Sequence, residues 1–158
     1  MTKKPPYNEN AAIRGAIRRT FSRSPIIREV LQKVRREVPR YRKDGSRAKK
    51  DAVQFLCATC KQYVGSTCVS VDHIDPVIPT EGFTDWNTFV KRLFCGADNL
   101  APICDECHQK KTNEERRARQ RIKDLETLEE LKRKDVSGGR LTDKELKLFR
   151  RLTKKLGS

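Results

Sequence analysis

Four cysteines in two CxxC pairs, CATC at 57–60 and CDEC at 104–107, put thiols at metal-ligand spacing in a chain of 158 residues. Each pair can close on one side of a tetrahedral ion, so Cys57, Cys60, Cys104 and Cys107 are read as one structural zinc site. Because the pairs are distant in sequence, the ion would staple two segments side by side, and its binding energy would become folding energy. Cys68 and Cys95 have no partner at ligand spacing and are read as small apolar fillers. Between and beside the pairs stand VDHI at 71–74, DNL at 98–100 and His108, directly after Cys107. The stapling would draw His73 and His108, the chain's 2 histidines, toward one place. Asp72, His73, Asn99 and His108 are thus the candidates for a second site, although a lone histidine is more often structural.

The elements that must hold these residues are sparse in apolar material. The chain is 35% hydrophobic and 36% charged, too little to bury every segment in one core. Its first residues, MTKKPPYNEN, lack the apolar centre of a secretory signal, and no apolar run reaches membrane-crossing length. A reducing, cytoplasmic setting without a membrane is expected, where CxxC pairs serve metals before disulfides. Charge is unevenly spread. Residues 1–50 hold 16 Lys/Arg against 4 Asp/Glu, residues 51–112 hold 5 against 8, and residues 113–158 hold 15 against 9. Basic arms flanking a mildly acidic centre suit a polyanion gripped at its sides and processed in the middle.

In chain order, residues 1–9 read as a disordered start and 10–50 as a basic helical segment. Ala12, Ile13, Ala16 and Ile17 recur at helical spacing over 10–23, with Arg14, Arg18 and Arg19 between them. Ser24-Pro25 opens a second helix, whose stripe Ile26, Ile27, Val30, Leu31, Val34 and Val38 runs to Pro39. The piece RYRKDGSRAKK at 40–50 is a basic loop turning at Asp44-Gly45, with Arg42 and Lys43 placed to follow a phosphate backbone. For any single arginine a solvated face is the simpler account; the excess as a set points to nucleic acid.

The core is expected over 51–119. Val53, Phe55 and Cys57 alternate as one arm of a zinc-bearing hairpin, and 68–74 reads as a strand. There Asp72 and His73 would face opposite ways unless the strand ends at them, as Pro76 suggests. Thr84 is placed to cap a short helix with Trp86, Phe89, Val90 and Leu93 on its core face. Residues 99–103 form a second strand, and a helix from Cys104 carries Cys107, His108, Lys111 and Glu115 on one side. An extension, 120–158, would be a helical hairpin: a seam of Ile122, Leu125, Leu128 and Leu131, a break at Ser137-Gly138-Gly139, and a helix capped by Thr142 and Glu145 with Leu141 stapled on Leu146.

DHI, then NL, then CxxCHxxK resemble the HNH endonucleases, in which the three letters would be His73, Asn99 and His108. The double CxxC, the Ser-Pro at 24–25 and the stretch GFTDWNTFVKRLF at 82–94 are similar to phage-encoded members. The resemblance covers about residues 55–115, reaches more loosely into the amino-terminal half, and leaves the helices after about 120 uncovered. It implies an α+β fold: a ββα-metal core clamped by a four-cysteine zinc, between basic N-terminal helices and a C-terminal helical hairpin. It further implies metal-dependent hydrolysis of DNA phosphodiester bonds, by nicking or double-strand cleavage, with 5′ phosphate and 3′ hydroxyl products. His73 would be the general base, a role suited to imidazole. Asp72 and His108 would hold a catalytic divalent ion, magnesium, manganese or another transition metal. Asn99 would tie down the loop bearing His73, and Lys110 or Lys111 would meet a phosphate. DNA is the implied partner, with phage packaging proteins as candidates and the host cytoplasm as the setting. Two departures stand out: the long spacer 74–98, and Asp105 and Glu106 between the ligand cysteines. A zinc-stabilised nucleic-acid-binding module without catalysis would need the cysteines but not Asp72, His73, Asn99 and His108. A scaffold docking other proteins through the C-terminal hairpin is the third reading.

Overall fold

A computed structural model describes residues 7–136 and 138–157; residues 1–6, most of the expected disordered start, and Ser137 of the expected break lie outside the described residues. The chain folds as two compact units, Met1–Val77 with Thr84–Gln109, and Ile78–Phe83 with Lys110–Ser158. The basic amino-terminal segment therefore shares a unit with the cysteine pairs, and the division falls after Gln109.

In the first unit, α1 (Glu9–Phe21) starts where the Asn8 side chain accepts a hydrogen bond from the Ala11 amide, so ordered helix already covers residue 9. Helix α2 (Pro25–Gln32) buries Val30. The stripe expected to continue it to Val38 breaks instead, and Arg35–Val38 is a strand, β1, so the lead-in is not wholly helical. A spacing of four between Val34 and Val38 fits either state, but Val38 precedes a proline, which disfavours the α region. Pairing with β2 (Ala52–Leu56) satisfies the backbone instead, with Arg35 opposite Phe55 and Val38 opposite Ala52. Between β1 and β2 the basic loop turns as expected, Gly45 taking a positive φ of 80° that a Cβ would oppose. Strand β3 (Tyr63–Gly65) completes a three-stranded antiparallel sheet in the order β1-β2-β3.

A separate two-stranded antiparallel ribbon joins β4 (Val69–His73) to β5 (Leu100–Cys104), Val69 opposite Cys104 and His73 opposite Leu100. The spacer between them carries α3 (Trp86–Leu93). Its cap is Asp85, which accepts from the Thr88 amide, and not Thr84, whose hydroxyl donates to Asp85. Phe89 and Leu93 are buried as expected, while Val90 faces outward. Cys68, expected as a filler, is exposed. Directly after β5 begins α4 (Asp105–Val136), so a ribbon leads into a helix at the second cysteine pair. The arrangement is mixed α+β with small antiparallel sheets.

In the second unit, α4 and α5 (Asp143–Leu156) form a helical hairpin whose seam holds Leu128, Leu131 and Leu152. Leu125, expected in that seam, is exposed, and Asp124 is buried in its place, meeting Lys155 and Gln120. The capping box of α5 is complete: the Thr142 hydroxyl accepts from the Glu145 amide, and the Glu145 carboxylate accepts from the Thr142 amide. Lys134 reaches the same carboxylate at 2.7 Å. Lys134 first, then the Thr142 donors, hold the Glu145 carboxyl down to about 2 from the ordinary 4.5. A depressed carboxylate stabilises above its unfolded value and loses that contribution as pH falls toward the folded one. Helical circular dichroism should accordingly decline between about pH 4.5 and 2, and Glu145→Gln should remove the part of that decline due to α5. An identical acid profile in the variant would show that the box does not set it.

Candidate functional site

The first cysteine pair sits at the turn between β2 and β3. Lys61 takes a positive φ of 59°, the Cys57 amide donates to the Gln62 carbonyl at 2.9 Å, and the Lys61 amide donates back to the Cys57 carbonyl at 3.0 Å. The second pair straddles the junction of β5 and α4, and the Cys104 amide donates to the Cys57 sulfur at 3.4 Å. All four sulfurs lie within 4.8 Å of one another, with Cys60 and Cys104 3.8 Å apart. Zinc–sulfur bonds of about 2.3 Å in a tetrahedron require edges of about 3.8 Å, so the site fits a structural metal such as zinc. Cys57, Cys104 and Cys107 are buried, and Ile103, Val64 and Ala101 pack around them.

Local electrostatics favour a cation at this centre. Burial pushes the Cys57 thiol up, but the amides of Cys60, Cys104 and Thr59 outweigh it and bring the thiol down to about 6. Cys107 is pushed up to about 12, foremost by the adjacent Cys104 sulfur and then by burial. Four sulfurs this close cannot all ionise against one another, and a divalent ion removes that conflict.

Strand β4 ends at His73, still paired with Leu100 while Asp72 pairs with Ala101, so the two neighbours alternate along the ladder, and His73 is only 7% exposed. Its Nε2 lies 2.9 Å from the Leu93 carbonyl, one of the last carbonyls of α3, which a helix leaves without an internal donor. The Phe21 ring, at the end of α1, covers the imidazole with centroids 5.0 Å apart. The Asn99 side chain accepts from the Asp75 amide at 2.8 Å, and its carbonyl from the Ile74 amide at 2.9 Å. Asn99 thereby fastens the two residues that follow His73. Asp72, half-buried, stands opposite Ala101 on the ribbon. His108 is exposed in the first turns of α4, next to Cys107. Among the described residues, the four cysteines are the group of three or more His, Cys, Asp or Glu side chains able to converge on one ion. Asp72 and His108 do not belong to that group.

Of the basic candidates in the first unit, Arg18 lies over the Phe89 ring at 5.6 Å, Arg14 is half-buried, and Arg19, Arg42 and Lys43 are exposed. In the second unit Lys110 is exposed, and Lys111 is 3.9 Å from Glu115. Reading the sequence alone misses Phe21 and the Leu93 carbonyl. An aromatic ending a basic helix gives a faint signal; a main-chain acceptor gives none. No helix among the described residues is long and apolar enough to cross a membrane. Compared with known proteins, the chain matches no family model, no curated protein and no solved structure.

Proposed function

We propose that the chain is a metal-dependent DNA endonuclease of the HNH type, with a ββα-metal core formed by β4, β5 and the start of α4. The observation that carries this reading is the bond from His73 Nε2 to the Leu93 carbonyl. A carbonyl only accepts, so Nε2 carries the ring proton and Nδ1 is the basic nitrogen. Phe21 on the ring and Asn99 on the following turn keep that nitrogen's aim. A buried imidazole held in one tautomer suits the deprotonation of a water, a role that a binding module does not require.

In the reaction, Nδ1 of His73 takes a proton from the water that attacks phosphorus. The phosphorus–O3′ bond breaks and the departing oxygen takes a proton from solvent water, leaving a 5′ phosphate and a 3′ hydroxyl. Asp72 and His108, an oxygen and an imidazole nitrogen, suit magnesium, manganese or a later transition metal, which when bound supplies counter-charge to the phosphate and the departing oxygen. Asn99 keeps the loop after His73 in register. Arg14, Arg18, Arg19, Arg42 and Lys43 of the first unit, and Lys110 and Lys111 of the second, are cations that can each meet phosphates of the DNA backbone. A phage-encoded nuclease of this kind would act in the host cytoplasm, with packaging proteins as candidate partners.

The test is incubation of the purified chain with supercoiled plasmid in magnesium, manganese, nickel or cobalt, with a chelated control. Nicked or linear product with ligatable 5′ phosphate ends is expected in at least one ion and none in chelator. Plasmid that is retarded but uncut in every ion would replace this reading with the zinc-stabilised binding module.

A further inference from the structure

We infer that a groove in the second unit, lined by Thr112, Arg116, Arg119, Gln120 and Lys123, holds the sugar-phosphate backbone of a nucleic acid. This deepens the nuclease reading by assigning a backbone-binding surface to the helical extension. Thr112, Arg116, the neighbours Arg119 and Gln120, and Lys123 recur at three- and four-residue intervals along α4, so they share one side of the helix. They enclose about 300 Å³ of open space. Each has a side-chain donor, none is acidic, and none is aromatic. The lining thus offers donors to anionic oxygens and no carboxylate to repel them, as contacts to a phosphate backbone require.

Local charge balance says which cations remain available. Glu115 takes Arg119 at 3.1 Å and Lys111 at 3.9 Å, and Asp124 takes Gln120 and Lys155. Arg116 and Lys123 have no carboxylate partner among the described residues. Arg119 is held by the Ile78 carbonyl at 3.2 Å, yet its Nε is buried without a hydrogen-bond partner. A buried donor of this kind costs stability while it has no acceptor, and Arg119 lines the groove. Seven residues of helix separate Arg116 from Lys123, about 10.5 Å along the axis. That span equals the axial rise of about three base-pair steps of a duplex, at about 3.4 Å each along the duplex axis. The two unpaired cations thus fit separate phosphates of one chain, with Arg119, Gln120 and Thr112 serving the oxygens around them.

The test uses the full chain and a labelled DNA duplex, without added divalent ion, over a range of salt. Arg116→Gln with Lys123→Gln should flatten the slope of log affinity against log salt by about 1.8, at about 0.9 per phosphate no longer neutralised. The control pair Lys147→Gln with Arg150→Gln, exposed on α5, should change it by much less. Circular dichroism and thermal melting should match the parent in both. An unchanged slope, or an equal change in the control pair, would overturn the groove. Tight binding of inorganic tripolyphosphate that the groove variant loses, with its DNA slope intact, would make this a small-anion site and also overturn it. A flattened slope in a chain that cuts no plasmid would keep the groove and discard the nuclease.

Discussion

His73→Gln is expected to slow cleavage of plasmid DNA by about 10²–10⁴-fold, the usual worth of a positioned general base. Glutamine is the informative replacement because its amide can donate to the Leu93 carbonyl as Nε2 does, while offering no basic nitrogen to a water. Alanine would also remove the ring packed on Phe21 and open a cavity, so its loss of activity would confound chemistry with folding. Glutamine should leave thermal melting, zinc content and DNA affinity near those of the parent. Initial rates in the ion that supports cleavage, measured beside those three controls, decide the matter. Cleavage at the parental rate would mean that His73 takes no proton and that another group activates the water.

Cys104→Ser is expected to abolish cooperative unfolding of the first unit. A structural zinc in a small domain contributes about 10–16 kcal/mol, as much as or more than the about 5–15 kcal/mol by which whole domains are stable. Cys104 is central to the clamp: it ends β5, its amide meets the Cys57 sulfur, and its own sulfur lies 3.8 Å from that of Cys60. Metal analysis should give one zinc per chain for the parent and less for the variant, and prolonged chelation of the parent should reproduce the variant's melt. Cys68→Ser, an exposed thiol outside the cluster, is the matched control and should melt like the parent. A parental melt from Cys104→Ser would remove the metal from the account of stability.

What could be read ahead from residues alone follows from the range of the interactions. The four-cysteine cluster needs only two local spacings, and the α5 capping box only Thr142 and Glu145, so both were legible. The turn at Asp44-Gly45 was legible for the same reason, since Gly45 is the residue that accepts a positive φ. Strand β1 was not, because Val34 and Val38 satisfy helical and extended periods alike, and its partner Ala52–Leu56 lies beyond a loop. The buried Asp124 broke the expected leucine seam through its partners, Gln120 one turn back and Lys155 on the other helix, and no hydrophobic pattern announces such a pairing. The candidate site divides along the same line. Asp72, His73, Asn99 and His108 were named from their types and neighbours, whereas Phe21 and the Leu93 carbonyl depend on where α1 and α3 come to rest.

The hydrogen bond from His73 to the end of α3 gives the spacer a geometric tolerance of its own. Each residue of helix turns the backbone by about 100°, so one residue inserted or deleted between Asp85 and Leu93 would swing the accepting oxygen far from the imidazole. A whole-turn insertion would restore the bearing but shift the oxygen by about 5.4 Å along the axis. Length changes in this linker therefore act as a dial on the imidazole's angle, and engineering that leaves every named side chain intact can still turn the ring by changing the phase of a helix that contributes only a backbone atom.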